Sequence, residues 1–554
     1  MHVEEFMRKV LLENALKYDG VCNPKSVLGA VMREFPDLRA NAGSVMRQAG
    51  EIAQEVNALS VDEQKALLES LGGSQAPEKE YKDPFLLDHP SPVLRFEPSP
   101  SGPLHIGHAF TLGLNHLLAA KNDGKLILRI ADTNPENIYP PAYELIVEDA
   151  QWYTHNNISD VFIQSDRMEL YYSYAERMLS AGWAYVCTCD ADAFRECVDA
   201  KQPCPCRDLP VAQALMRWQS MLTTLLPGEA VVRIKTDIAH KNPAMRDWPA
   251  LRINTATHPK QGSKYRVWPL MNFSVSVDDM EMGVTHVLRA KDHADNAKRQ
   301  EFMYNYFGKP IPVVYNVGRI NFTDLQLSTS QTRKRIEDGD FSGWDDVRLP
   351  FFQALKKRGF TAEAFLRQAQ EIGISPADKK LSQQEYFTNI EAFNRDIIDK
   401  QADRIFFVQD PVLITIQHAE TMRVEKDLYP ELRAGGRVFE LGSEVYVSRE
   451  DIEQPEHVLF RLMDGYNFSS ADGGFVYEGE SLDDFRKAAH KRMIHYLPKH
   501  HPTTQITLVF PDGSRSEGII EARATTYPPG TLLQCERIGF VRKEDDKTYY
   551  FAHR

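Results

Sequence analysis

The chain has 554 residues, 42% of them hydrophobic and 26% charged, a globular mix with material for roughly three to five domains of about 100–200 residues each. A formal net charge of −13 argues against a general nucleic-acid coat protein, although a local basic groove can still recruit phosphates. No apolar run approaches the roughly 18–20 residues of a membrane span, and "MHVEEFMRKV" is no signal peptide, so a soluble cytoplasmic chain is expected.

Residues 1–75 read as a helical module. "VEEFMRKVLLENALKY" and "SVDEQKALLESL" carry apolar residues at three- and four-residue spacing, and Ser60 with Glu63 begins a capping box. The polar, glycine- and proline-containing stretch that follows places a linker at 76–91. From 92 the pattern becomes α/β: "VLRF" is a short strand, "PSPSGPLHIGH" a turn, "AFTLGLNHLLAAKND" a helix and "KLILRI" a second strand. This gives the first half of a Rossmann-like domain at 92–186, with its turn at a strand's carboxyl end. A cysteine-rich insertion is expected at 187–255. The second half follows at 256–343, with "THVLRA" and "VVYNVG" as further strands of the same sheet. Residues 344–402 return to helix, and 403–554 alternate as short strands with turn signals, an all-β, barrel-like module.

The turn carries the first chemistry. Pro98, Pro100 and Pro103 stiffen it, while Gly102 and Gly107 let backbone approach a ligand. His105 and His108 follow at a helix amino end, where free N–H groups favour phosphate and the imidazoles can donate to its oxygens. Gly107 leaves room for a flat adenine against the backbone.

Five of the seven cysteines crowd into 187–206. Cys187-x-Cys189 and Cys204-x-Cys206 offer four thiolates suited to tetrahedral Zn2+, with Cys197 spare. Reduced free thiols and a disulfide are the other readings.

Further motifs follow in order: "RIADTNPEN" (129–137), "GVTHVLRAKDH" (283–293), "LSTSQTRKRI" (327–336) and "GDFSGWDDVRLP" (339–350). With the turn at 98–108, this series resembles the glutamyl-tRNA synthetases in their archaeal form, within the class I aminoacyl-tRNA synthetases. The resemblance spans essentially the whole chain, and the β-rich end matches the archaeal branch. It implies ATP with Mg2+, a glutamyl-adenylate, and transfer of glutamate to the terminal ribose of tRNA(Glu). Positioning and charge stabilisation would carry the catalysis.

By resemblance, His105 and His108 form the first signature, and Pro98, Ser99, Pro100, Gly102 and Gly107 complete the ATP cradle. Ser328, Thr329 and Ser330 fall in the second signature, the loop over the phosphates. Arg95 matches the arginine that pairs with the substrate's side-chain carboxylate, and Arg289 one that approaches the amino acid. The insertion would touch the tRNA acceptor end and the β-rich region the anticodon. The N-terminal helices either serve packing alone or contact a protein or tRNA.

Four positions depart from the family pattern. Ala131 stands where an acidic residue holds the substrate ammonium, Glu97 where a small residue is usual, and Met271 where tyrosine is usual. Gln331 replaces a basic loop residue, with Arg333, Lys334 and Arg335 just beyond. These leave three readings open: Glu97 takes over the ammonium, specificity has shifted, or the chain is a non-catalytic tRNA-binding or regulatory paralogue. Glutaminyl-tRNA synthetase is the nearest rival, and Ser99 speaks against it because the glutaminyl form typically has an acidic residue there.

Overall fold

The computed structural model describes residues 3–17, 20–72, 83–325, 327–453, 458–471 and 473–554. The first part of the expected linker, residues 76–82, lies outside the described residues. The chain divides into two units, Met1–Asp83 and Pro84–Arg554. Among the described residues no helix is long and apolar enough to cross a membrane.

The first unit is helical, with helices Val3–Lys17, Lys25–Glu34, Ala42–Asn57 and Val61–Ser70. Met7, Leu11 and Ala15 recur at helical spacing and bury against Val31, Ala49, Ile52 and Val56. The expected capping box is present: Glu63 N–H donates to Ser60 Oγ at 3.4 Å, and Ser60 N–H to Glu63 Oε2 at 2.8 Å.

The second unit begins with three parallel strands, Val93–Phe96, Lys125–Ile130 and Asp160–Ile163, in that order. The helix Ile106–Lys121 makes the first crossover and buries Ile106, Phe110, Leu114 and Leu118. Strands His286–Ala290 and Val313–Val317 form a separate parallel ladder rather than continuing one sheet. The two ladders are tied where they begin, by Thr285 N–H to Val93 O at 3.0 Å and Val93 N–H to Thr285 Oγ1 at 2.9 Å.

The insertion is a four-stranded antiparallel sheet of Ala184–Cys187, Val231–Ile234, Pro249–Ile253 and Val267–Pro269. It extends past the expected limits of 187–255 because its core, with Trp218, Trp268 and Phe273, also recruits Met168 and Met303 from helices outside them. Helices Phe352–Arg358, Ala362–Ile372 and Gln383–Ile398 come next.

The β-rich part holds two seven-stranded sheets. Strands Asp403–Ile405 and Phe407–Gln409 pair with Leu532–Cys535 and Arg515–Glu521, so the first sheet is assembled from both ends of the region. The second is built from strands within 411–498. Buried Arg437, on strand Arg433–Leu441 of a separate two-stranded ladder with Met422–Tyr429, reaches the first sheet, its Nη2 donating to Glu521 Oε1 at 2.6 Å.

Candidate functional site

The turn 98–108 sits at the carboxyl end of strand Val93–Phe96 and is held by backbone on both sides. Pro98 O accepts from Ala131 N–H at 2.9 Å and Pro100 O from Tyr139 N–H at 2.8 Å. Ile106 N–H donates to Pro350 O at 3.1 Å, and Phe352 N–H to Leu104 O at 3.0 Å. Asp149, buried in the helix Ala142–Tyr153, accepts Leu104 N–H through Oδ2 at 2.9 Å. Burial pushes its carboxyl up to about 8.

His105 and His108 form a stacked pair with ring centroids 3.9 Å apart. His105 caps its own helix: its Nδ1 accepts Gly107 N–H at 3.0 Å, while His105 N–H donates to His108 Nδ1 at 3.2 Å. With both Nδ1 atoms used as acceptors, both neutral rings carry their proton on Nε2. Burial holds His105 well below the usual imidazole value and His108 down to about 4. The pair is therefore a set of neutral Nε2–H donors at pH 7. The tight geometry explains Gly107: a Cβ there would lie 2.8 Å from His105 Cε1.

The loop of the second signature is docked against this turn. Thr329 Oγ1 lies 2.9 Å from Ser101 Oγ, and a Cβ on Gly102 would come within 3.1 Å of the Thr329 side chain. Ser328 caps the helix Thr329–Glu337 by accepting Gln331 N–H at 3.4 Å, and its Oγ lies 3.3 Å from Ser330 Oγ. Gln331 thus starts a helix, and the basic residues beyond have local neighbours. Arg333 lies over Tyr139 and 3.7 Å from Glu337, and Arg335 pairs with Asp340 at 3.1 Å.

Next to the turn is a buried charged cluster. Arg95 Nε donates to Asp279 Oδ1 at 3.2 Å. Arg129 is fully buried and donates to Asp279 Oδ1 at 2.7 Å and to Glu97 Oε2 at 2.9 Å. Arg167 Nε donates to Asp278 Oδ1 at 2.7 Å, and Tyr171 OH to Asp278 Oδ2 at 2.7 Å. Gln164 Nε2 joins Asp278 at 3.0 Å and Glu97 Oε1 at 3.3 Å. Although burial opposes it, Arg95 and Arg129 hold Asp279 below the usual carboxylate value.

Arg289 is the exception. It is 8% exposed, its Nη2 donates to the neutral Gln300 Oε1 at 3.0 Å, and its Nε has no partner. Burial and the neighbouring Arg95 push its pKa down to about 10. Four guanidiniums thus stand with three carboxylates, and among the described residues Arg289 has no carboxylate partner. A buried charge is costly without a partner in contact, and Asp279 and Glu97 act on this one only from beyond ion-pair distance.

The sequence placed Arg95, Glu97 and Arg289 near one another, and the structure brings them together. Ala131 serves through its backbone. Met271 opens the helix Met271–Glu281 with 45% of its surface exposed. Arg129, Asp278 and Asp279 were missed as site residues. Their available signal was charge inside otherwise apolar segments, "KLILRI" and "FSVSVDD", where ions persist only when paired.

In the insertion, Cys187 and Cys204 Sγ atoms are 3.9 Å apart and Cys189 and Cys206 3.8 Å. Cys187, Cys189 and Cys206 lie mutually within 4.8 Å. A disulfide is excluded, since its sulfurs sit about 2.05 Å apart. Arg217 Nη1 donates to Cys206 Sγ at 3.1 Å, and Thr188 N–H to the same atom at 3.5 Å. The hydrogen bond shared with Cys187, in which either sulfur can donate, lowers the Cys204 thiol to about 5.

A strand–turn–helix cradle with paired imidazoles, a docked hydroxyl loop and an adjoining charged pocket defines a class I synthetase catalytic fold, followed here by a β-rich region. The matches agree: the model of the tRNA synthetases class I (E and Q) catalytic domain covers residues 93–400, and that of their anti-codon binding domain covers 402–478. The chain belongs to this family. It is 42% identical to a glutamate--tRNA ligase of Methanothermobacter marburgensis and 41% identical to one of Methanocaldococcus jannaschii, each over the full length of both chains. A glutamate--tRNA ligase of Methanococcus maripaludis is 40% identical over 98% of this chain and 99% of its own.

Proposed function

We propose that the chain activates glutamate with ATP and attaches it to the 3′ end of tRNA(Glu), in translation and in the cytoplasm. The observation that carries this reading is Arg289, a buried guanidinium held by a neutral amide beside the ATP cradle. A glutamate carboxylate supplies the missing charge, whereas a glutamine amide does not. Arg95, with its charge already met by Asp279, neighbours Arg289.

In the first step the α-carboxylate attacks the α-phosphorus of ATP and pyrophosphate leaves. The Nε2–H groups of His105 and His108 donate to phosphate oxygens as negative charge develops, with no proton to gain or lose. Ser328, Thr329 and Ser330 close the loop over the phosphates. Mg2+ enters with ATP, whose phosphate oxygens and water suit its hard, octahedral preference. The substrate ammonium goes to Glu97 Oε1, whose hydrogen-bond donor among the described residues is the Gln164 amide at 3.3 Å. Glu97→Gln then raises the KM for glutamate; an unchanged KM removes this assignment.

Pyrophosphate exchange with each amino acid, with and without tRNA, tests the whole reading. Glutamate-dependent exchange that needs tRNA is expected. Exchange with glutamine alone makes the chain a glutaminyl enzyme, and none at all makes it a non-catalytic paralogue.

The mutual closeness of Cys187, Cys189 and Cys206 supports one structural Zn2+, with Cys204, 3.9 Å from Cys187 but outside that group, as a fourth ligand that would have to move in. Zn–S bonds of about 2.3 Å in a tetrahedron put sulfurs about 3.8 Å apart, close to the separations found. The metal would tie Cys187 and Cys189 to Cys204 and Cys206, bracing the surface offered to the acceptor end. One zinc per chain, lost in Cys206→Ser with a lowered melting temperature, is the expected result; zinc-free protein as purified contradicts it. The β-rich region is assigned the anticodon, and the N-terminal helices a contact with tRNA or a protein. Removal of residues 1–75 tests the tRNA half of that assignment by its effect on tRNA affinity.

A further inference from the structure

Behind Arg289 runs a chain of side-chain amides that the reaction as described leaves unused. Gln300 lies on the helix Ala294–Phe307 and is 3% exposed. Its Oε1 accepts from Arg289 and its Nε2 donates to Asn272 Oδ1 at 3.3 Å. Asn272, directly after Met271, donates to Asn296 Oδ1 at 3.1 Å. That oxygen also accepts from Arg299 Nη1 at 3.1 Å, and Asn296 Nδ2 faces His293 Nδ1 at 3.1 Å.

The direction of this chain is forced. Guanidinium groups only donate, so Gln300 must turn its oxygen to Arg289 and Asn296 must turn its oxygen to Arg299. Gln300 Nε2 then needs an acceptor, and Asn272 Oδ1 provides it. Reversing the Gln300 amide would set an NH2 against the guanidinium and leave two donors facing each other in a buried site.

We propose that Gln300, backed by Asn272, is a specificity-positioning residue that fixes Arg289 without placing a carboxylate against it. A carboxylate at position 300 would hold the guanidinium equally well but neutralise it, and the pocket would lose its preference for an anion. A neutral acceptor keeps both the geometry and the charge. The proposal rests on the assignment of Arg289 to the substrate carboxylate.

The experiment is steady-state aminoacylation by the full chain, with tRNA(Glu), for the wild type and for Gln300→Glu, Asn272→Leu and Arg289→Ala. In Gln300→Glu the KM for glutamate rises tenfold or more, kcat and the KM for ATP stay within about twofold, and the preference for glutamate over glutamine shrinks. Asn272→Leu, which frees the Gln300 amide to turn, gives a smaller rise in the same KM. If Arg289→Ala raises the KM for glutamate but Gln300→Glu does not, the positioning role is overturned and the carboxylate assignment survives. If Arg289→Ala leaves that KM unchanged, the assignment itself fails. A fall in kcat together with a higher KM for ATP in Gln300→Glu marks general structural damage and also counts against the proposal.

Discussion

At residues 98–108 the working groups are neutral imidazoles, oriented by backbone hydrogen bonds within the turn, while the turn itself is held by backbone from residues 131, 139, 350 and 352. The adjoining pocket is the reverse: Arg95, Glu97, Arg129, Asp278 and Asp279 come from distant segments and hold one another by charge. In the proposed ATP cradle the donors are thus oriented locally and work without changing protonation. The proposed amino-acid pocket depends on a balance in which Arg289 has no carboxylate in contact among the described residues. Substitutions in the first region should damage the chemical step, and those in the second should damage the choice of substrate.

The largest expected effect is on the first side. His108→Ala removes a preorganised donor and should lower the rate of adenylate formation by about 10²–10³, with tRNA affinity unchanged. Equal loss of both in exchange and tRNA-binding assays would erase the proposed division. On the second side, Arg289→Ala should raise the KM for glutamate by roughly 30-fold or more, as removal of a buried charged partner costs about 2–5 kcal/mol. A matching fall in kcat would move Arg289 into the chemical step. Gly102→Ala, whose Cβ would press on Thr329 at 3.1 Å, should displace the loop and cost about tenfold in kcat by the misplacement argument, leaving the KM for glutamate alone.

The two kinds of buried group also differ in pH dependence. Burial lowers His108 to about 4, so the unfolded chain binds more protons as pH falls from about 6.5 toward 4, and acid destabilises the fold there. Asp149 has the opposite sign. Its carboxyl is raised to about 8, so the folded chain holds the extra proton and this contribution to stability declines as pH rises from about 4 to 8. In Asp149→Asn the amide oxygen can still accept Leu104 N–H, so the variant's melting temperature should gain on the wild type across pH 5–8. A constant difference over that range would contradict the raised carboxyl. This is the smallest of the expected effects.

This contrast also explains what the sequence could disclose. Strand, turn and helix at 93–121 are local, and so is the capping box at Ser60; periodicity and turn residues suffice to find them. Arg95 and Arg289 stood out by matching family positions, and Glu97 by departing from one. Asp279 is 184 residues from Arg95 and 150 from Arg129, and no local pattern links them. The second seven-stranded sheet was hidden for the same reason, because the first one closes only when residues 403–409 meet strands from beyond 514. Glu97 looked like an intruder in the turn's approach, yet it has a buried counterion in Arg129.

The central claim is that Arg289, held by a neutral amide rather than by a carboxylate, selects a carboxylate substrate. The most direct measurement is the ratio of kcat/KM for glutamate to that for glutamine, compared between the wild type and Arg289→Ala. The account predicts that the ratio collapses, through loss of glutamate rather than gain of glutamine. An unchanged ratio, with both substrates falling together, would contradict it.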